Sequence, residues 1–85
     1  MIHVASVTPE AGFALVLGFS NGEQRRFDMN AYLDFPVYHR LQNPGFFALA
    51  KVDGGTVVWP GNIDIDPETL YDRSVPVNTS QVPSP

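Results

Sequence analysis

The chain has no cysteine among its 85 residues. A disulfide framework and a thiolate metal site are both excluded, and a reducing cytoplasm is the expected setting. Bases are scarce as well. Five Lys and Arg stand against nine Asp and Glu, a net charge of −4. Such a chain repels a phosphate backbone at long range, so nucleic-acid binding on its own is not expected. Long apolar runs are missing: the stretch Phe13–Phe19 is far too short to cross a bilayer. The start, Met1-Ile2-His3-Val4, has neither the basic nor the apolar region of a secretory signal. There is no internal repeat and no glycine-rich phosphate loop. Gly54, Gly55 and Gly61 read as turn glycines.

What is present is a folding composition, 44% apolar and 16% charged. The length suits one compact core and not two. Ile2 to Val7 reads as a short strand, with Pro9 and Gly12 punctuating the turn after it. Phe13, Leu15, Leu17 and Phe19 share one face by period-two alternation, the strongest strand signal in the chain. Asn21-Gly22 then marks a hairpin, with Glu23 to Asp28 returning as the partner strand.

The register of that hairpin follows from which way Phe27 must face. A two-residue loop would set Phe27 opposite Val16, away from Leu15 and Leu17. A three-residue loop, Ser20-Asn21-Gly22 with Gly22 left-handed, sets Phe19 opposite Glu23 and Leu15 opposite Phe27. That choice gathers every large apolar side chain on one face, and a slip of one residue would undo it. Arg25 is then expected along the edge of this face, its stem packed and its head in water.

Further along, Asp28 can cap a short helical turn through Leu33, and Phe35-Pro36 opens another with Val37, Tyr38 and Leu41 at helical spacing. Asn43-Pro44 reads as an N-cap followed by an N1 proline, starting a turn through Phe46 and Phe47. Ala48 to Val52 is extended, Asp53-Gly54-Gly55 is a tight turn, and Thr56 to Trp59 is β-rich. Pro60-Gly61-Asn62 interrupts the strand, which Ile63 to Ile65 briefly continues. Asp66-Pro67-Glu68 opens a short C-terminal helix as N-cap, N1 proline and first-turn acid. The expected fold is therefore α+β, with a small antiparallel sheet of about four to five strands: an N-terminal strand, a hairpin and a C-terminal pair. Short helices lie in the middle and at the C-terminal end. One domain covers residues 1–74, and residues 75–85, rich in Pro and Ser, form a flexible tail.

Taken together, Phe19-x-Asn21-Gly22-Glu23, Phe27-Asp28, Leu33, Leu41, Asn43-Pro44, Phe47, Val58-Trp59-Pro60, Asp64-Ile65 and Leu70-Tyr71 resemble a small bacterial family of domains of unknown function, the one numbered 2442. The resemblance spans residues 2 to about 72. It implies an α+β domain of about this size, followed in some members by a helix-turn-helix and standing alone in many. Stand-alone members are often encoded beside another small protein, a layout like a toxin–antitoxin pair. With Pro85 as its last residue, this chain has no room for the helix-turn-helix, so DNA binding is not carried over. The family has no established catalytic residues to transfer.

Candidate chemistry is sparse. Asp64 and Asp66 sit on one side of an extended chain, but no further ligand lies at a motif spacing, and Asp66 already has a capping role. His3 and His39 share no partner motif. No catalytic constellation, cofactor or metal site is expected. An enzyme built on Asp64, Asp66 and a histidine is the least favoured reading. Trp59 admits two readings, an exposed anchor for a partner or a strand residue covering one end of a small core, and the size of the domain favours the second. Arg25 and Arg26, the only basic pair, could meet an acidic partner or simply blunt a sheet edge. Tyr32, Phe35, Tyr38, Phe46 and Phe47 cluster in a segment broken by Pro36, Pro44 and Gly45. The candidate interaction surface is accordingly Tyr32, Phe35, Tyr38, Trp59, Arg25 and Arg26, its partner another protein or a second copy of the chain. The expected function is a non-catalytic interaction or accessory module, with a ligand-sensing domain as the alternative.

Overall fold

The computed structural model describes residues 2–77. It is a small α+β fold, as expected, but with more strands than expected and in two sheets. Seven strands are present among the described residues: β1 (Val4–Glu10), β2 (Ala14–Phe19), β3 (Gln24–Asp28), β4 (Lys51–Asp53), β5 (Thr56–Trp59), β6 (Ile63–Ile65) and β7 (Val75–Pro76). They form antiparallel sheets ordered β1-β2-β3-β7 and β4-β5-β6. The segment expected to continue β5 instead reverses on it, pairing Trp59 with Ile63 and Val57 with Ile65. Gly61 at φ 90° and Asn62 at φ 62° supply the left-handed pair that such a tight reversal needs. The two-residue turn Gly54-Gly55, at φ 62° and 80°, does the same between β4 and β5.

The hairpin register is the one derived from Phe27. Leu15 pairs with Phe27, the Phe19 amide donates to the Glu23 carbonyl at 2.9 Å, and Gly22 adopts φ 90°. Leu15, Leu17, Phe19 and Phe27 are all buried. Gly22→Val is expected to destabilise by about 1 kcal/mol or more, because a β-branched residue resists that conformation. Unchanged urea denaturation would contradict the loop assignment.

The first strand runs three residues past its expected end, through Pro9 to Glu10. A proline is tolerated there because β1 is an edge strand of its sheet and needs no ladder donor on the outer side. The turn consists of Ala11, Gly12 and Phe13. Phe13 leaves the strand with φ 65° but still packs edge-on against Phe47, with ring centroids 5.4 Å apart.

Between the sheets in sequence lie 3₁₀ segments over Met29–Tyr32 and Pro36–Gln42 and a one-turn helix, α1 (Pro44–Phe47). The Asp28 carboxylate accepts from the Asn30 amide, and the Asn43 side chain accepts from the Gly45 and Phe46 amides, so both expected caps form. Prolines at 36 and 44 keep these elements short. At the C-terminal helix α2 (Pro67–Asp72), Asp66 holds the N-cap position but makes no side-chain cap bond. Its carboxylate instead faces the Thr69 hydroxyl at 3.5 Å.

One core cluster joins both sheets and the middle segment. Leu15, Leu17, Phe19 and Phe27 come from the first sheet, and Val57, Trp59, Ile63 and Ile65 from the second. Met29, Leu33, Leu41, Phe47 and Leu70 close it. The tail expected from residue 75 begins instead inside the sheet. Val75 pairs with Arg26, Pro76 pairs with Arg25, and the Val77 amide donates to the Gln24 carbonyl at 2.8 Å. Composition alone hid this, because the strand is held by polar contacts rather than by apolar burial. The remainder of the expected tail, 78–85, lies outside the described residues. Among the described residues no helix is long and apolar enough to cross a membrane.

Candidate interaction surface

An aromatic ladder climbs from the core to the surface of the middle segment. Phe27, fully buried, stacks on Tyr32 at 5.4 Å and 22°. Tyr32 in turn meets Phe35 edge-on at 5.9 Å. Phe35 is 50% exposed and Val37 beside it 58% exposed. This outer pair is held firmly, not left on a loose loop. The Phe35 amide donates to the Tyr32 carbonyl at 3.1 Å, and the Tyr38 amide donates to the Phe35 carbonyl at 2.8 Å. The Gln42 side chain also donates to the Leu33 carbonyl at 2.9 Å. The chain thus presents a hydrogen-bonded apolar ridge that reaches the hydrophobic core through Tyr32.

Val37 was expected to share a helical face with Leu41. The segment is 3₁₀, with three residues per turn, so Tyr38 and Leu41 align and Val37 turns outward. A proline at the first position suits an α-helix equally well, so the sequence did not announce this phase. Tyr38 is half-buried and its hydroxyl donates to the Asp64 carbonyl at 3.1 Å, tying the ridge to β6. Burial, then the Asp64 carboxylate, pushes this phenol above its ordinary value. Phe46 is half-buried beneath the Arg40 guanidinium, and Phe47 is in the core.

Of the residues expected on the surface, Tyr32, Phe35 and Tyr38 come together here. Trp59 does not. It is 2% exposed, and its indole N–H donates to the Phe47 carbonyl at 2.9 Å in the interior. In the fold it is a core residue, because β5 turns Val57 and Trp59 to the same inner face. Arg26 sits on the outward face of β3, opposite to Phe27, and pairs with Glu10 at 3.0 Å across the strands. Both partners are exposed, so the pair adds little stability.

Arg25 is likewise corrected: its head is not in water. The side chain is 14% exposed and is gripped from three directions. It donates to the Ser74 hydroxyl at 2.7 Å, to the Ser74 carbonyl at 2.6 Å and to Glu23 at 2.9 Å, and lies 4.5 Å above the Tyr71 ring. Ser74 and Tyr71 are far away in sequence, so nothing local in the chain announced this cluster. The Tyr71 hydroxyl donates to the other Glu23 oxygen at 2.5 Å.

These bonds, that of Tyr71 first and those of Arg25 and Asn21 after it, hold the Glu23 carboxyl below its ordinary value of 4.5. A depressed carboxyl stabilises the fold above the unfolded-chain value and loses that contribution as pH falls through the folded value. Stability should therefore decline below about pH 4.5 with a component that Glu23→Gln removes. Superimposable acid denaturation profiles for the two proteins would contradict this.

Asp64 and Asp66 are both exposed, on β6 and before α2. Among the described residues no three His, Asp or Glu side chains converge as a metal-holding group. A shallow apolar hollow of about 410 Å³ lies between the β1–β2 turn and α1, lined by Pro9, Phe13, Pro44, Phe47 and Ala48 among others. Among the described residues lining it, Glu10 alone is ionisable, and Glu10 is engaged by Arg26.

No curated protein and no solved structure matches the chain. A family model does match, over residues 4–76, and its span takes in both sheets, the aromatic ridge and strand β7. The chain belongs to the family described as Protein of unknown function (DUF2442).

Proposed function

We propose that this domain is a non-catalytic protein-interaction module of the bacterial cytoplasm, the antitoxin-like or accessory half of a small two-gene pair. The observation that carries the reading is the Phe35–Val37 ridge, two large apolar side chains half or more exposed on a hydrogen-bonded turn, with Phe35 resting through Tyr32 on the core. Adjacent exposed apolar groups on a small domain favour an interface, and a preformed surface spares the ordering entropy of binding. Asp34 is exposed beside Phe35, and the whole chain carries −4. A partner, or the facing part of a second copy, should therefore offer an apolar recess with a basic rim.

Phe35→Ser combined with Val37→Ser tests this. Phe35 is half in water and Val37 somewhat more, and neither lies in the core, so the fold should persist with a loss of about 1–2 kcal/mol. Association should weaken about tenfold or more, as for anchor residues at an interface. Tyr38→Ala is a poorer probe because it also removes the bond to β6. A double variant that is well folded and associates like the parent would refute the reading. The ligand-sensing alternative rests on the apolar hollow beside α1. It ranks second because the polar groups that would orient a ligand do not converge there.

A further inference from the structure

We propose that β7 is a strap over the outer edge of β3, opening and closing as a unit of its own and fastened by a side-chain latch of Arg25, Glu23, Tyr71 and Ser74. The strap itself buries little. It is two residues long, with Val75 60% exposed and Pro76 exposed. Pro76 faces Arg25 in the ladder and brings no amide to it, leaving few backbone bonds, among them the Val77 amide to the Gln24 carbonyl. The latch is the opposite: dense, partly buried and charge-assisted. Arg25 makes a forked grip on the Ser74 hydroxyl and carbonyl, Ser74 is 5% exposed, and its hydroxyl donates onward to the Tyr71 carbonyl at 3.0 Å. Glu23 closes the ring between Arg25 and the Tyr71 hydroxyl.

The two sides of the latch belong to different parts of the chain. Arg25 and Glu23 come from the hairpin. Tyr71 and Ser74 come from the end of α2 and the residues leading into β7. Helix α2 is anchored independently, through fully buried Leu70 and the edge-on contact of Tyr71 with Phe19 at 5.1 Å. Release of the strap therefore leaves the core intact and pivots on the short stretch after Tyr71. It uncovers the backbone donors and acceptors of Gln24–Arg26 as an unpaired sheet edge. This inference is independent of the aromatic ridge, which shares no residue with the strap or its latch.

Amide hydrogen exchange on the whole chain tests it. In the parent protein the Val77 amide should exchange faster than those of Leu15 and Leu17, which lie in β2 between two paired strands. Arg25→Lys keeps the charge but loses the fork, and should speed Val77 exchange about tenfold while leaving Leu15 and Leu17 unchanged. Tyr71→Phe removes only the hydroxyl and should act in the same direction; it carries the test if Arg25→Lys does not fold. Val77 exchanging in step with Leu15 and Leu17 in all three proteins would show that the strap is not a separate unit. Val77 exchange that neither substitution changes would show that the latch does not hold it. Either result overturns the proposal.

Discussion

Phe27→Ala is expected to cost roughly 3–5 kcal/mol, the range for deleting a fully buried aromatic ring. Phe27 is fully buried, faces Leu15 across the hairpin and carries Tyr32 on its own ring. A domain this small has a total stability near the lower end of about 5–15 kcal/mol. The variant should therefore be largely unfolded or melt far below the parent, as read by far-UV circular dichroism. Phe27→Leu should retain the fold with a smaller loss, since most of the volume stays. A loss under about 1 kcal/mol for the alanine variant would mean that the ring does not pack where the register places it.

Trp59→Ala should be comparably severe, at roughly 3–5 kcal/mol. Trp59→Phe separates two contributions. The phenyl ring keeps much of the packing with Phe47, whose ring lies 6.0 Å away, but loses the indole bond and leaves the Phe47 carbonyl with only the Ala50 amide at 3.2 Å. Losing that hydrogen bond costs about 0.5–1.5 kcal/mol, with the volume lost from the indole adding to it. An exposed anchor residue would behave differently: its removal would leave the melting transition in place and weaken association. A melting curve unchanged by Trp59→Phe would restore Trp59 to the surface and contradict the fold described.

Local devices were the legible part of this chain. The bulged hairpin followed from a turn dipeptide and from which way Phe27 must face, and both lie within sixteen residues of one another, from Phe13 to Asp28. The caps at Asp28 and Asn43 are likewise one-residue chemistry. What was hidden depends on partners far along the chain. Strand β7 follows directly on Ser74, which Arg25 reaches from 49 residues away, and a two-residue strand with exposed side chains has no hydrophobic period to read. The reversal of β6 onto β5 depends on Asn62 accepting a left-handed conformation, which the residue allows but does not announce. At the candidate surface the aromatic cluster was visible as composition. Which rings face water depended on the segment being 3₁₀ rather than α, a difference of phase that moved Val37 outward and kept Tyr38 tied to β6.

The central claim is that the Phe35–Val37 ridge is a contact surface. Its most direct test is a side-by-side capture from lysate of the native host. The parent chain and the Phe35→Ser, Val37→Ser double variant serve as bait, at a temperature where both are verified to be fully folded. At least one protein, a second copy of this chain included, should be retained by the parent and lost by the double variant. Retention of the same set of proteins by both baits would contradict it.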